Sequence, residues 1–213
     1  MVRKIVERVS DEVLKRDLEK YRQRALELGA TDAKIITSDM VLIDEKIRAK
    51  CIHPLCDLYG SSVNCPPHAV DLDLMRKVVN KFQYAIFDKV EIPAEKIAGP
   101  EAREKGLFLS YSRKNFEIVG NIEADAFHDG YYLAMGFTNG SCKITFCHQI
   151  ECSALTPGQL CRFPLKARAS MEAVGMDAYA MATKVGWDIY PIGRSTPPSE
   201  VPFGVALGLV LIY

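Results

Sequence analysis

The sequence predicts an α/β chain of the α+β kind, a mixed sheet with helices, built from two pseudo-repeats of helix, strand, cysteine loop, helix and strand. Three observations lead there. Helical and strand periodicities alternate along the chain. Cys51, Cys56 and Cys65 recur as Cys147, Cys152 and Cys161, each 96 residues further on, so both triplets read C-x4-C-x8-C. Finally, 213 residues that are 48% hydrophobic are ample for one packed core. Seven cysteines scattered at random would rarely match at three places under a single shift. The expected organisation is one domain over residues 1–213, with pseudo-repeats at 11–92 and 113–213 around a linker at 93–112.

The elements follow in order. Ser10 caps a helix over residues 11–28, where Leu14, Leu18, Tyr21, Ala25 and Leu28 form one apolar stripe and Gly29 ends it. Strands follow at 33–37 and at 41–47, where Val41, Ile43 and Ile47 share a face. After the first cysteine loop Asp71 caps a helix reaching Phe82, and 84–92 reads as a strand. Residues 93–107, PAEKIAGPEAREKGL, are charged and carry two prolines, which marks the joint. The order then recurs: a helix over 113–127, a strand over 131–137, the second cysteine loop, and a helix from Ser170 to about Val185. Residues 186–192 and 203–213 read as extended, separated by the loop GRSTPPSEVP.

Composition narrows the function. Lysine plus arginine equals aspartate plus glutamate at 27 each, so no global field favours nucleic acid or an anionic membrane. The first twelve residues alternate charge and apolar side chains without a signal-peptide core. The longest apolar run, residues 205–213, is about half the ~20 residues a membrane helix needs, and reads as a buried strand. An odd number of clustered cysteines without an export signal argues for a reducing cytoplasm and against a disulfide framework. Nucleotide-binding glycine loops, a serine-hydrolase elbow and the bacterial ferredoxin run are all missing.

Thiolates at repeated spacing are soft metal ligands, and iron–sulfur clusters in particular are held by cysteine sulfur. Cys142, Cys147, Cys152 and Cys161 give the second loop four thiolates, the complement for one 4Fe–4S cubane. Zinc is the alternative, although structural zinc favours paired C-x2-4-C knuckles. The first loop has only Cys51, Cys56 and Cys65, which leaves one position for His53, His68, a carboxylate, water or a substrate. Hydrogen bonding to a turn is the plainer role for either histidine. Arg162, Lys166 and Arg168 place positive charge beside the second loop, and Ser170 heads the helix after it. Arg162, Arg168 and Ser170 are therefore candidates for stabilising a bound anionic cofactor, with a solvated basic edge as the alternative.

These residues resemble a family of cysteine-rich predicted metal-binding proteins of anaerobic bacteria and archaea, of iron–sulfur type. The likeness spans most of the chain: C-x4-C-x-x-YG-x4-CPPH from Cys51 to His68, IEADAFHDGYYLAMGF at 122–137, the GSC turn at Cys142 and CRFPLKARASMEAVGMD at 161–177. The family pattern prefers proline where Ala169 stands and places its central cysteines closer than Cys142 and Cys147. The resemblance implies metal binding without naming an activity. The reading that results is a cytoplasmic iron–sulfur protein with one or two clusters, transferring electrons or serving a redox partner protein. Two alternatives stand beside it: an enzyme that binds substrate at an open cluster iron, and a structural zinc protein acting through partner contacts.

Overall fold

A computed structural model describes residues 2–193 and 195–213; Arg194, in the proline-rich loop, lies outside it. Ser10 accepts the amide of Val13 and starts helix α1 (Asp11–Glu27), with Leu28 as its C-cap and Gly29 at a φ of 101°. Strand β1 (Asp32–Thr37) follows. The strand expected over 41–47 does not form. Asp44 accepts the amide of Lys46 and begins a short helix, α2 (Glu45–Ala49), leaving Ile43 a single bridge to Met176. An acidic cap outweighs the alternating apolar pattern there.

Helix α3 (Leu72–Val79) is capped by Asp71 as expected but ends three residues early, and strand β2 (Tyr84–Pro93) returns through the centre. The charged joint carries two short helices, α4 (Ala94–Ile97) and α5 (Gly99–Glu104), in which Ala94 and Ala102 are buried, as is Ala98 between them. Helix α6 (Leu109–His128) is the longest. Strand β3 (Met135–Phe137) is shorter than expected, because Tyr131 and Ala134 form turns after Gly130. Helix α7 (Cys142–Phe146) lies inside the second cysteine loop.

The single helix expected from Ser170 to Val185 is broken. Ser170 caps only a 3-10 turn (Glu172–Val174). Gly175 then turns left-handed at a φ of 80°, and Asp177 caps a separate helix, α8 (Ala178–Lys184). A Cβ on Gly175 would stand 2.5 Å from Leu72, so this close approach of α3 calls for glycine. Residues 186–192 form no strand, whereas β4 (Phe203–Leu211) is nearly continuous apolar sequence.

Among the described residues four strands are ordered β1-β2-β4-β3 and their ladders are antiparallel, with β2 and β4 at the centre. Both faces are covered, which explains the unbroken apolar run of β4. On one face Leu14, Leu18 and Tyr21 of α1 and Ile118 and Ile122 of α6 pack on Ile86, Val90 and Val210. On the other, Met75 of α3, Met181 of α8 and Trp187 pack on Phe87, Leu207 and Leu209.

Candidate metal centre

Backbone bonds bring the two cysteine loops together. The amide of Asp44, ahead of the first loop, donates to Gly175 O at 2.9 Å, and the amide of Asp177 donates to Leu42 O at 2.8 Å. The second loop closes on itself at its base, where Thr138 and Ser170 form a parallel bridge flanked by Thr138 N–Ala169 O (3.1 Å) and Met171 N–Thr138 O (2.7 Å). The start of the first loop and the end of the second are thus held side by side.

Within the second loop each cysteine occupies a structural joint. Ser141 caps α7 by accepting the amide of Lys143, which makes Cys142 the first helical residue and Cys147 the last cap. Cys152 precedes the turn Ser153–Leu155, and Ser153 Oγ donates to Leu160 O at 2.7 Å, drawing Cys161 back across the loop. As a result Cys142, Cys147, Cys152 and Cys161 line one small cavity together with Ser62 and Asn64 of the first loop. Phe146 and Phe163 stack at 5.4 Å along its wall, and Phe116 of α6 backs Phe146 at 5.1 Å.

In the first loop, Cys51 follows the C-cap of α2 and donates its amide to Arg48 O, Cys56 donates its amide to Cys51 O, and Cys65 starts a turn closed by His68 and Ala69. Cys56 is exposed, Cys51 half-buried and Cys65 buried. Cys51 lies in the electrostatic field of Cys56 and Cys65. The two groups of cysteines adjoin. Cys65 Sγ lies 3.3 Å from Ser141 Oγ, and Asn64 Nδ2 donates to Cys142 Sγ at 3.5 Å. Backbone amides also reach sulfur: Leu58 donates to Cys56 Sγ (3.5 Å) and Phe163 to Cys161 Sγ (3.3 Å).

Burial holds the thiols of Cys51, Cys142 and Cys147 above the ordinary cysteine range, and neighbouring cysteines add to it. Asn64 and Ser62 oppose the rise at Cys142, and Arg162 and Lys143 oppose it at Cys147. A metal taken up here must displace protons from these sulfurs. Among the described residues, no three His, Cys, Asp or Glu side chains converge closely enough to hold a single metal ion.

The other sequence candidates sit as follows. His53 and His68 are exposed at the edge of the first loop, and His148 faces a separate groove with Arg103 and Lys105. Arg162 bonds Glu151 O across the second loop at 2.5 Å. Arg168 is paired with Glu123 at 2.7 Å and bonds the carbonyls of Pro164 and Ala167, and Ser170 caps its turn, so both brace the loop away from the cavity. Sequence reasoning passed over Ser62, Asn64, Ser141, Phe146 and Phe163. Only the placement of Phe163, two residues past Cys161, gave a local hint.

A family model described as a predicted metal-binding protein (DUF2284) matches residues 34–212, a span that contains all seven cysteines. Neither a curated protein nor a solved structure matches the chain. Among the described residues, no helix is long and apolar enough to cross a membrane.

Proposed function

The chain belongs to the predicted metal-binding protein family DUF2284, and on that premise we propose that it is a cytoplasmic electron-transfer protein holding two iron–sulfur clusters, one in each cysteine loop. The observation that carries this reading is the cavity lined by Cys142, Cys147, Cys152 and Cys161. Those four side chains line a common space. Four cysteines are the full complement of a cubane, each of whose irons takes one sulfur, and their x4, x4 and x8 spacing differs from the paired C-x2-4-C knuckles of structural zinc. The donor set fits the group, and the amides at Cys56 and Cys161 supply the hydrogen bonds to sulfur that tune such centres.

When bound, a cluster supplies one-electron transfer. The protein's own residues set its surroundings. Phe146 and Phe163 exclude water from one side, and Lys143 and Arg162 offset negative charge near Cys147. The contacts of Cys65 with Ser141 and of Asn64 with Cys142 support direct passage of an electron between neighbouring sites. Exposed apolar residues gather on the same loops, Leu55 at 67%, Leu160 at 86% and Leu165 at 82% exposure, beside Arg162 and Lys166. Such a surface suits an acidic redox partner. The shared cysteine offset and the recurring order of elements support an internal duplication that equipped each half with a site.

A second reading has one observation behind it. The first loop offers three cysteines, and its Cys56 is exposed, which would suit a substrate at an open iron. Anaerobic purification with iron, sulfide and zinc analysis tests the proposal. Two cubanes give roughly eight irons and eight sulfides per chain. Stoichiometric zinc without sulfide would overturn it.

A further inference from the structure

The wall of the second cavity is completed from the first loop. Between Gly60 and Pro66 the chain makes a closed turn. The amide of Gly60 donates to Pro66 O at 2.7 Å, the amide of Cys65 to Ser62 O at 3.1 Å, and Ser61 Oγ to Leu58 O at 2.6 Å. Gly60 takes a φ of 72°, which a side chain would resist. So held, the turn sets Ser62, Val63 and Asn64 against the cavity that the four cysteines of the second loop line. Asn64 Nδ2 donates to Cys142 Sγ at 3.5 Å, and Ser62 Oγ lies 3.9 Å from the same sulfur. Cys142 is buried where Cys147, Cys152 and Cys161 are only half-buried, and Ser62 is buried beside it. Cys161, by contrast, takes its bond from a backbone amide of its own loop, that of Phe163. Cys142 is thus served by side chains from the other half of the chain.

We propose that Asn64, with Ser62 beside it, is a positioning residue of the second site: by donating to Cys142 Sγ from the first loop, it raises the reduction potential of the second cluster. This rests on the iron–sulfur reading above and deepens it by naming what regulates that site. A donor at a cysteine sulfur draws off negative charge. The reduced cluster carries one negative charge more than the oxidised one, so the bond strengthens on reduction and favours it. Once metal displaces the thiol proton, Cys142 Sγ only accepts, and the Ser62 hydroxyl can turn to donate as well. Both donors come from the first loop, so the reduced state is stabilised on the side of the second cavity that faces the first loop. Asn64 is followed directly by Cys65, whose Sγ lies 3.3 Å from Ser141 Oγ. The turn that tunes the second site therefore also carries a candidate ligand of the first.

The test measures iron, sulfide and both reduction potentials, by redox-titrated EPR, in anaerobically purified wild type, Asn64→Leu, Asn64→Ala and Ser62→Ala. The potential that disappears in Cys147→Ser is that of the second cluster. Asn64→Leu keeps the size of the side chain and loses its donor; circular dichroism checks the fold. The expected result is full iron and sulfide with the second cluster about tenfold harder to reduce, a fall of ~59 mV for one electron, and a smaller fall in Ser62→Ala. The sign separates this from a packing effect, because a wall opened to water stabilises the more negative reduced state and raises the potential instead. Val63→Ala cuts the same wall without removing a donor and should show no fall. A second potential that is unchanged or higher in Asn64→Leu, at full iron content, overturns the proposal. Asn64→Ala repeats the test without branched bulk, and loss of the second cluster in both Asn64 variants would make the residue a brace and overturn the tuning role. Two clusters in wild type with unmoved potentials in the variants sink the tuning role alone. Wild type without iron and sulfide sinks the cluster reading, and this proposal with it.

Discussion

Asp88 stands on central strand β2 facing α6, completely buried, and its ionisation should make the protein's stability fall as pH rises. Its Oδ1 accepts one bond, from Asn115 Nδ2 at 3.3 Å, while Asp88 Oδ2 and Asn115 Oδ1 find no partner. A protonated carboxyl supplies the donor that Asn115 Oδ1 lacks. Gly208 on β4 makes the room, since a Cβ there would stand 2.2 Å from Oδ2. Burial raises the carboxyl to about 7, with the Asn115 bond opposing. Because the folded value is the higher one, the native state holds the proton longer, and stability is lost as pH climbs from ~4 through about 7, then levels. At ~1.36 kcal/mol per unit from an unfolded value of ~3.9, the carboxyl costs the fold about 1.5 kcal/mol near ~pH 5 and about 4 kcal/mol near ~pH 8. Asp88→Asn is neutral throughout and carries an amide donor for Asn115. Its stability advantage over wild type should therefore grow by about 2.5 kcal/mol across that range. Urea unfolding under argon, followed by circular dichroism at the two pH values, reads this difference. Metal contributions cancel because the cysteine loops are common to both proteins. A variant whose advantage stays constant with pH would refute the reasoning.

Three more outcomes are expected. Cys147→Ser and Cys56→Ser should each remove about half of the iron, and the double variant nearly all of it, if each loop holds its own cubane; metal analysis of the three proteins checks this. Gly175→Ala should destabilise by about 1–3 kcal/mol, since it combines a left-handed φ with a Cβ 2.5 Å from Leu72, as measured by the shift in urea midpoint. Phe163→Ala should leave iron content intact but speed bleaching of the visible spectrum in air severalfold, because it opens one wall of the second cavity.

The sequence carried the frame of this fold in its periodicities and caps. Ser10, Asp71 and Gly29 marked helix ends because those signals are local, and the apolar run of β4 announced a strand buried on both faces. Errors arose where tertiary contact or a competing cap decided the conformation. Asp44 drew residues 45–49 into a helix, and the approach of Leu72 to Gly175 split the helix expected after Ser170. The site was legible as a list of sulfurs, since spacing alone grouped Cys142, Cys147, Cys152 and Cys161. The neighbours that complete the surroundings were not legible. Asn64 meets Cys142 across 78 residues of chain, and Ser141 meets Cys65 across 76, through contacts with no local signature. Arg168 looked like a cofactor cation for the same reason: nothing in its neighbourhood revealed that Glu123 on α6 would neutralise it.

The central claim is that two iron–sulfur clusters sit side by side, one per cysteine loop, near enough to exchange electrons across the Cys65–Ser141–Cys142 junction. EPR spectroscopy of the anaerobically purified, fully reduced protein tests it most directly. Two adjacent paramagnets should give a spectrum broadened and split by their magnetic interaction, which simplifies to a single uncoupled signal in Cys147→Ser. A wild-type spectrum that already shows one isolated cluster, or none, would contradict the account.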